Sequence, residues 1–330
     1  KRMPVDTYRT QSRGGRGVNA QNLKEEDYVK SLNIASTHDH ILFFTDIGKV
    51  HHRKGYQIPE AGRTARGTAM VNVLPLEAEE RVTAMVTTRE FDDNEFLVMI
   101  TRKGVVKRLP FVALKTNRKG GIRAITLEEG DHLINVIRTT GNDNIILATA
   151  QGMAICFNEN DVRCMGRDAA GVRGITLNEG DIVVGAQKWE EGKTLLTVTE
   201  NGYGKRTELP EYLRTGPDGE KVPQSRGGKG LKNYNITPKT GNVAGCVVVG
   251  ETDDVMLIEN GGVIIRVPAN SINVYKRDVQ GVIVMRIEEG NKLVSLECVP
   301  NVNTDDVEEF PEERNAADII PENLSEDAGE

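Results

Sequence analysis

With 330 residues, 38% of them hydrophobic, the chain is long enough for two or three ordinary cores or for one extended repeat architecture. Its apolar runs, such as ILFF at 41–44 and VVV at 247–249, stop after a few residues, far short of the roughly 20 that a membrane helix needs, and KRMPVDTYRT carries no apolar segment of a secretory signal. The net charge of −7 is unevenly placed, because residues 300–330 hold eleven acids and one base and leave 41 bases against 38 acids in 1–299.

In chain order, five β-hairpins are predicted: FFTDIGKV at 43–50, LVMITRKGVVKR at 97–108, ILATAQGMAI at 146–155, LTVTENGYGKR at 196–206 and MLIENGGVIIR at 256–266. Each joins two β-rich runs through a tight glycine turn. A second series of glycines interleaves with them, Gly17, Gly67, Gly121, Gly171, Gly230 and Gly281, spaced by 50, 54, 50, 59 and 51 residues. Six residues beyond each stands an aliphatic side chain: Leu23, Val73, Leu127, Leu177, Ile236, Ile287. Ten residues beyond, Asp27, Asp131, Asp181 and Asn291 mark turns, three of them EGD or EGN, whose carboxylates serve turn chemistry and not acid–base work. Helical periodicity is nowhere sustained, although RTELPEYLR at 206–214 suits one helical turn.

A fifty-residue unit of about four short strands, repeated six times, has the period of propeller blades. One blade cannot bury its apolar faces alone, so 1–299 reads as a single all-β, six-bladed, propeller-like disc. No GH…WD pairs occur and Trp189 is the sole tryptophan, which argues against a WD40 propeller. Residues 300–330, with Pro311, Pro321 and no period, read as a disordered acidic tail. KRMPVDTY aligns with KRLPFVAL at 107–114, so the chain reads as starting inside a unit of a larger protein.

The charges follow the repeats. Hairpins end in Lys1 and Arg2, Lys107 and Arg108, Lys205 and Arg206, with Arg266 alone in the last and His51, His52 and Arg53 in an earlier one. The landmark glycines are flanked by Arg13, Arg16, Arg63, Arg66, Lys119, Arg123, Arg167, Arg173, Arg226, Lys229, Lys276 and Arg277. Twice this region reads nearly the same heptapeptide: Gln11, Ser12, Arg13, Gly14, Gly15, Arg16, Gly17, and Gln224, Ser225, Arg226, Gly227, Gly228, Lys229, Gly230. Three glycines in seven make a loop whose backbone N–H groups can approach phosphate oxygens, with cations alongside. Equivalent positions in a cyclic array form a belt, and a belt of positive charge suits a bent duplex, gripped without base readout. The predicted DNA contacts are the two heptapeptides and, on the rim, Arg2, Arg63, Arg66, Lys107, Arg108, Lys119, Arg123, Arg173, Lys205 and Arg206.

These repeats and the heptapeptide at 11–17 resemble the C-terminal domain of the DNA gyrase A subunit, whose box reads Q-R/K-R-G-G-K/R-G in its first blade; Ser12 here replaces the commoner base. The resemblance implies a six-bladed β-pinwheel whose blades exchange strands. It also implies positive wrapping of double-stranded DNA beside the cleavage gate, so that ATP-driven strand passage introduces negative supercoils. Implied partners are the N-terminal cleavage domain of the same subunit, and the gyrase B subunit in an A2B2 holoenzyme, in the cytoplasm and without a membrane. ATP and Mg2+ belong to other domains, and no cofactor is implied for this chain. The alternatives are a domain of the topoisomerase IV A subunit, related but with a degraded box, and a protein- or RNA-binding propeller scaffold. A single-strand binder would place aromatic residues beside its RGG, and only Tyr8 is close.

No catalytic residue is predicted. The implied transesterification tyrosine lies in the family's N-terminal region, and Gly192-Lys193-Thr194 lacks the phosphate-loop glycine at Gln187. His38, Asp39 and His40 read as surface polar residues with no further metal ligand nearby. Cys156, Cys164, Cys246 and Cys298 show no CxxC pairing and read as reduced, small hydrophobes.

Overall fold

A strand that is apolar at every position must be covered on both faces, and that requirement builds this molecule. The computed structural model describes residues 1–4, 33, 35–62, 65–116, 118, 120–261 and 263–299. Lys1–Pro300 form one unit; Asn301–Glu330 form another, and the predicted tail there lies outside the described residues.

Each repeat contributes an antiparallel hairpin and a third long strand that returns along the first. The earliest described set is β1 (His40–Thr45), β2 (Lys49–Lys54) and β3 (Val82–Thr88). The next is β4 (Phe96–Thr101), β5 (Val105–Pro110) and β7 (Leu133–Thr139), with a two-residue strand β6 (Ile122–Arg123) between them. The pattern recurs as β8 (Asn144–Thr149), β9 (Met153–Asn158), β10 (Val172–Arg173) and β11 (Val183–Lys188). It recurs again as β12 (Thr194–Thr199), β13 (Tyr203–Glu208), β16 (Leu231–Lys232) and β17 (Val243–Val249), interrupted by a ribbon of β14 (Arg214–Thr215) and β15 (Lys221–Val222). The last set is β18 (Asp254–Glu259), β19 (Ile264–Pro268), β20 (Val282–Ile283) and β21 (Leu293–Val299).

The two-residue strands β6, β10, β16 and β20 pair with the hairpin of the preceding repeat, which gives sheets ordered β3-β1-β2-β6, β7-β4-β5-β10, β11-β8-β9-β16, β17-β12-β13-β20 and β21-β18-β19. Five blade sheets are therefore present among the described residues, where the sequence pattern predicts six. The repeat marked by Gly17 falls mainly on residues 5–32, outside those described. The exchange explains the landmark glycines. Gly171, Gly230 and Gly281 all have positive φ, and a Cβ there would lie 2.6 Å from Val106 O, 2.3 Å from Ala154 O and 2.3 Å from Gly204 O, atoms of the preceding hairpin. Only glycine lets the donated strand pass so close.

Alternate residues of one strand serve different cores, as the period of two demands. Leu97 and Met99 pack with Leu42 and Phe44, while Val98 and Ile100 pack with Ile145 and Leu147. Ile146 and Ala148 face Leu195 and Tyr212, and Leu196 and Val198 face Val255 and Leu257. The sheets are thus fused through shared cores. Successive third strands β3, β7, β11, β17 and β21 contact one another, so they form the inner side, and the donated strands β6, β10, β16 and β20 form the outer edge. The EGD turns cap the hairpins: Asp131 Oδ1 accepts the N–H of Lys103 at 2.9 Å, and Asp181 Oδ1 that of Gln151 at 2.9 Å. The helical turn expected near 206–214 is a 3-10 turn, Leu209–Tyr212. No described helix is long and apolar enough to cross a membrane.

Candidate nucleic-acid interface

Four cations of the hairpin series do not lie on the rim. Lys107 and Lys205 are fully buried (0% exposed), and Arg108 and Arg206 nearly so. Their position on the second hairpin strand carries them under the loop that arrives from the next repeat. Lys107 Nζ donates to Ala124 O at 2.7 Å, Ala169 O at 3.0 Å and Arg167 O, and Lys205 Nζ to Lys276 O at 2.7 Å and Arg277 O. Lys1 repeats the arrangement on Gly62 O and Ala65 O. The arginines bind the same neighbour from the other side. Arg108 pairs with the buried Glu159 at 3.0 Å and stacks over Phe96, and Arg206 donates to Ile272 O at 2.7 Å and pairs with Glu251 at 2.6 Å. Arg2, partly exposed, pairs with Glu60 at 2.9 Å. The rim assignment of Lys107, Arg108, Lys205 and Arg206 is therefore corrected: they are buried and staple successive repeats, their N–H groups already taken up by carbonyls and carboxylates of the protein.

The heptapeptide at 11–17 lies outside the described residues, as do Arg63 and Lys119. Its second copy is described, and most of it holds a seam. Gln224 N–H donates to Cys156 O and its side-chain amide to Tyr212 O. Arg226 donates from Nε to Asp161 O at 2.7 Å and from Nη1 to Arg173 O at 3.0 Å. Gly227 N–H reaches Gly174 O at 2.6 Å, and Thr176 donates from its N–H to Gly228 O and from its hydroxyl to Gly227 O. The glycines expected to approach phosphate thus approach protein backbone, while Ser225 and Lys229 remain exposed.

Three cations that face outward sit at one repeated position of the donated strands. Arg123, Arg173 and Lys232 are exposed and occupy the second position after Gly121, Gly171 and Gly230. Among the described residues Arg123 and Arg173 form no side-chain hydrogen bond or ion pair, and Lys232 Nζ meets only the neutral Asn235 Oδ1 at 3.0 Å. Arg66 is also exposed. Lys232 is not among the contacts predicted from sequence, though its phase, two residues past Gly230, matches Arg123 and Arg173 and is the signal that could have found it. Elsewhere the chemistry is quiet: among the described residues no three His, Cys, Asp or Glu gather to hold a metal, and burial pushes the Cys156 and Cys246 thiols up to about 12. His40 and His52 stack, with Nδ1 and Nε2 2.7 Å apart, and burial followed by the Lys54 charge lowers the pKa of His40.

A family model described as DNA gyrase C-terminal domain, beta-propeller, matches residues 1–36, 39–89, 95–140, 143–189, 193–249 and 253–300. The DNA gyrase A subunit of Clostridium acetobutylicum is 43% identical over 329 residues, 99% of this chain and 38% of that protein. Its Escherichia coli counterpart is 39% identical over 299 residues, 91% of this chain and 33% of that protein. The chain thus spans between a third and two-fifths of these relatives' length. Among solved structures, the C-terminal domain of DNA topoisomerase IV superposes with a TM-score of 0.72 at 25% identity, covering 80% of each chain. The DNA gyrase A C-terminal domain superposes with a TM-score of 0.68 at 24% identity, covering 91% of this chain and 96% of the other.

Proposed function

Because the chain belongs to the family of the DNA gyrase C-terminal domain, a beta-propeller, we propose that it binds double-stranded DNA along the outer edge of its sheets, without base readout, and bends it into a positive wrap. Exposed Arg123, Arg173 and Lys232, on the outer strands of three successive sheets, carry this reading. Bending a 20–30 bp segment by 40–90° costs roughly 1–6 kcal/mol, so contacts must recur along the arc, and one cation per seam supplies that recurrence. Repetition does the bending, and rigidity comes from the shared cores.

In this reading the heptapeptide at 11–17, within the family match over 1–36, contributes a further DNA contact. The wrap presents a DNA segment to the N-terminal cleavage domain of the same polypeptide. Together with the gyrase B subunit, in the cytoplasm, the assembly turns ATP hydrolysis into negative supercoils, with ATP and Mg2+ held on other domains. This chain contributes grip and path, not a reacting group.

The superposition on a topoisomerase IV domain supports a second reading, the same DNA contact in that related enzyme. In the full-length protein the gyrase reading requires net negative supercoils, and the topoisomerase IV reading requires none. DNA binding itself is tested by measuring duplex affinity between 50 and 200 mM salt, where each phosphate contact contributes a slope of about −0.9 in log affinity against log salt. A slope of several such steps is expected. Affinity indifferent to salt removes the proposal in favour of a scaffold.

A further inference from the structure

The outer strands are equivalent in register but not in chemistry. Arg123 lies opposite Lys49, Arg173 opposite Val105, Lys232 opposite Met153 and Ile283 opposite Tyr203, so all four occupy one position of the repeat. The residue before each is apolar: Ile122, Val172, Leu231 and Val282. In the first three strands this alternation sends an aliphatic side chain toward the hairpin and a cation outward. In β20 both residues are apolar and exposed, Ile283 at 55%. At the other end of the series, Ala69 stands two residues past Gly67 and is exposed and uncharged.

Arg123 shows that the cation is not there for the sheet. It faces Lys49 directly across the ladder, and like charges in that relation oppose pairing. Lys49 is neutralised by Glu77, which leaves the Arg123 charge without a partner among the described residues. Ile283, by contrast, sets an aliphatic side chain opposite the Tyr203 ring, a pairing that favours the sheet.

We propose that the second residue of each donated strand is the phosphate-gripping position, that the grip runs over Arg123, Arg173 and Lys232, and that it ends at Ile283, where the DNA leaves the edge. This rests on the DNA-binding reading above and adds to it a residue rule and an end point. The path then has limits: three consecutive seams anchor the duplex, and the neutral positions at Ala69 and Ile283 bound them.

The test uses the full 330-residue chain and a plain duplex, with the salt slope of binding as readout and the thermal midpoint as a check on folding. Arg123→Gln, Arg173→Gln and Lys232→Gln are each expected to make the slope shallower by about 0.9, and the triple variant by about three such steps. Arg286→Gln, an exposed cation off this position, should leave the slope unchanged. Ile283→Lys is expected to steepen it by about 0.9 and to increase the linking-number change per bound chain. A triple variant with the parental slope, an Arg286→Gln as damaging as Arg123→Gln, or an Ile283→Lys without effect overturns the rule, even while the parent chain still binds DNA. A parent chain with no salt slope overturns the underlying reading instead.

Discussion

A lysine amine enclosed by protein holds its proton less firmly than one in water. Burial lowers the pKa of Lys107 from 10.5 to about 8, against the opposing pull of Asp168, and that of Lys205 to about 7, against Asp278. The sign for stability follows from proton counting. Between the folded value and 10.5 the unfolded chain binds more protons, so stability rises with pH; this contribution is complete above 10.5 and lost as pH falls through about 8 for Lys107 and about 7 for Lys205. Lys205→Met should therefore flatten the profile: the urea midpoint of the parent rises more from pH 7 to 9 than that of the variant. Equal rises would show that the amine keeps its proton on folding. These same two lysines mark what the sequence hides at this scale. Their recurring phase was legible, but an amine is satisfied equally by phosphate and by carbonyl oxygens, and nothing local to KRLP or KRTE reveals that a loop from the next repeat arrives above it. Arg123 and Arg173 were legible as outward because each stands two residues after a landmark glycine.

At the scale of elements, the hairpins were readable because each needs a glycine turn between two apolar runs, and every one of the five stands at its place. The donated strands were not readable from the residues, since two residues carry no period; they show only in their pairing with the preceding hairpin, where Gly171, Gly230 and Gly281 sit against its backbone. The ribbon of β14 and β15 accounts for the longest spacing, 59 residues, and puts an exposed excursion just before the second heptapeptide. That heptapeptide behaves as a fastener between the repeats at 143–189 and 193–249, an outcome its composition left open because glycine admits close approach by any partner. Arg226→Ala removes the bonds to Asp161 O and Arg173 O and should destabilise the chain by about 1–2 kcal/mol. Hydrogen exchange at the Gly227 and Thr176 amides should quicken with it. Ser225→Ala, exposed beside it, should change stability by less than about 0.5 kcal/mol. Unchanged exchange in Arg226→Ala would place the seam's hold in the backbone alone.

Across Lys1–Pro300, the shared cores make one body of many short strands: Leu97 and Val98 are neighbours in sequence yet belong to different interiors, and β1, β4, β8 and β12 are each a wall between two. The same arrangement sorts the charge. Lys107, Arg108, Lys205 and Arg206 on the second hairpin strands are drawn inward to hold the next repeat, and Arg123, Arg173 and Lys232 on the donated strands are left facing out. Composition gave no hint of this, since the overall charge is −7 and a distribution by strand appears only once the sheets are ordered from inside to outside. The most direct measurement of a positive wrap is the linking number of nicked circular DNA sealed by ligase in the presence of increasing amounts of the chain. A rise in linking number that scales with bound protein and fades at high salt is the result the proposed positive wrap predicts. Circles sealed at the linking number of naked DNA, or below it, would contradict a positive wrap around the outer edge.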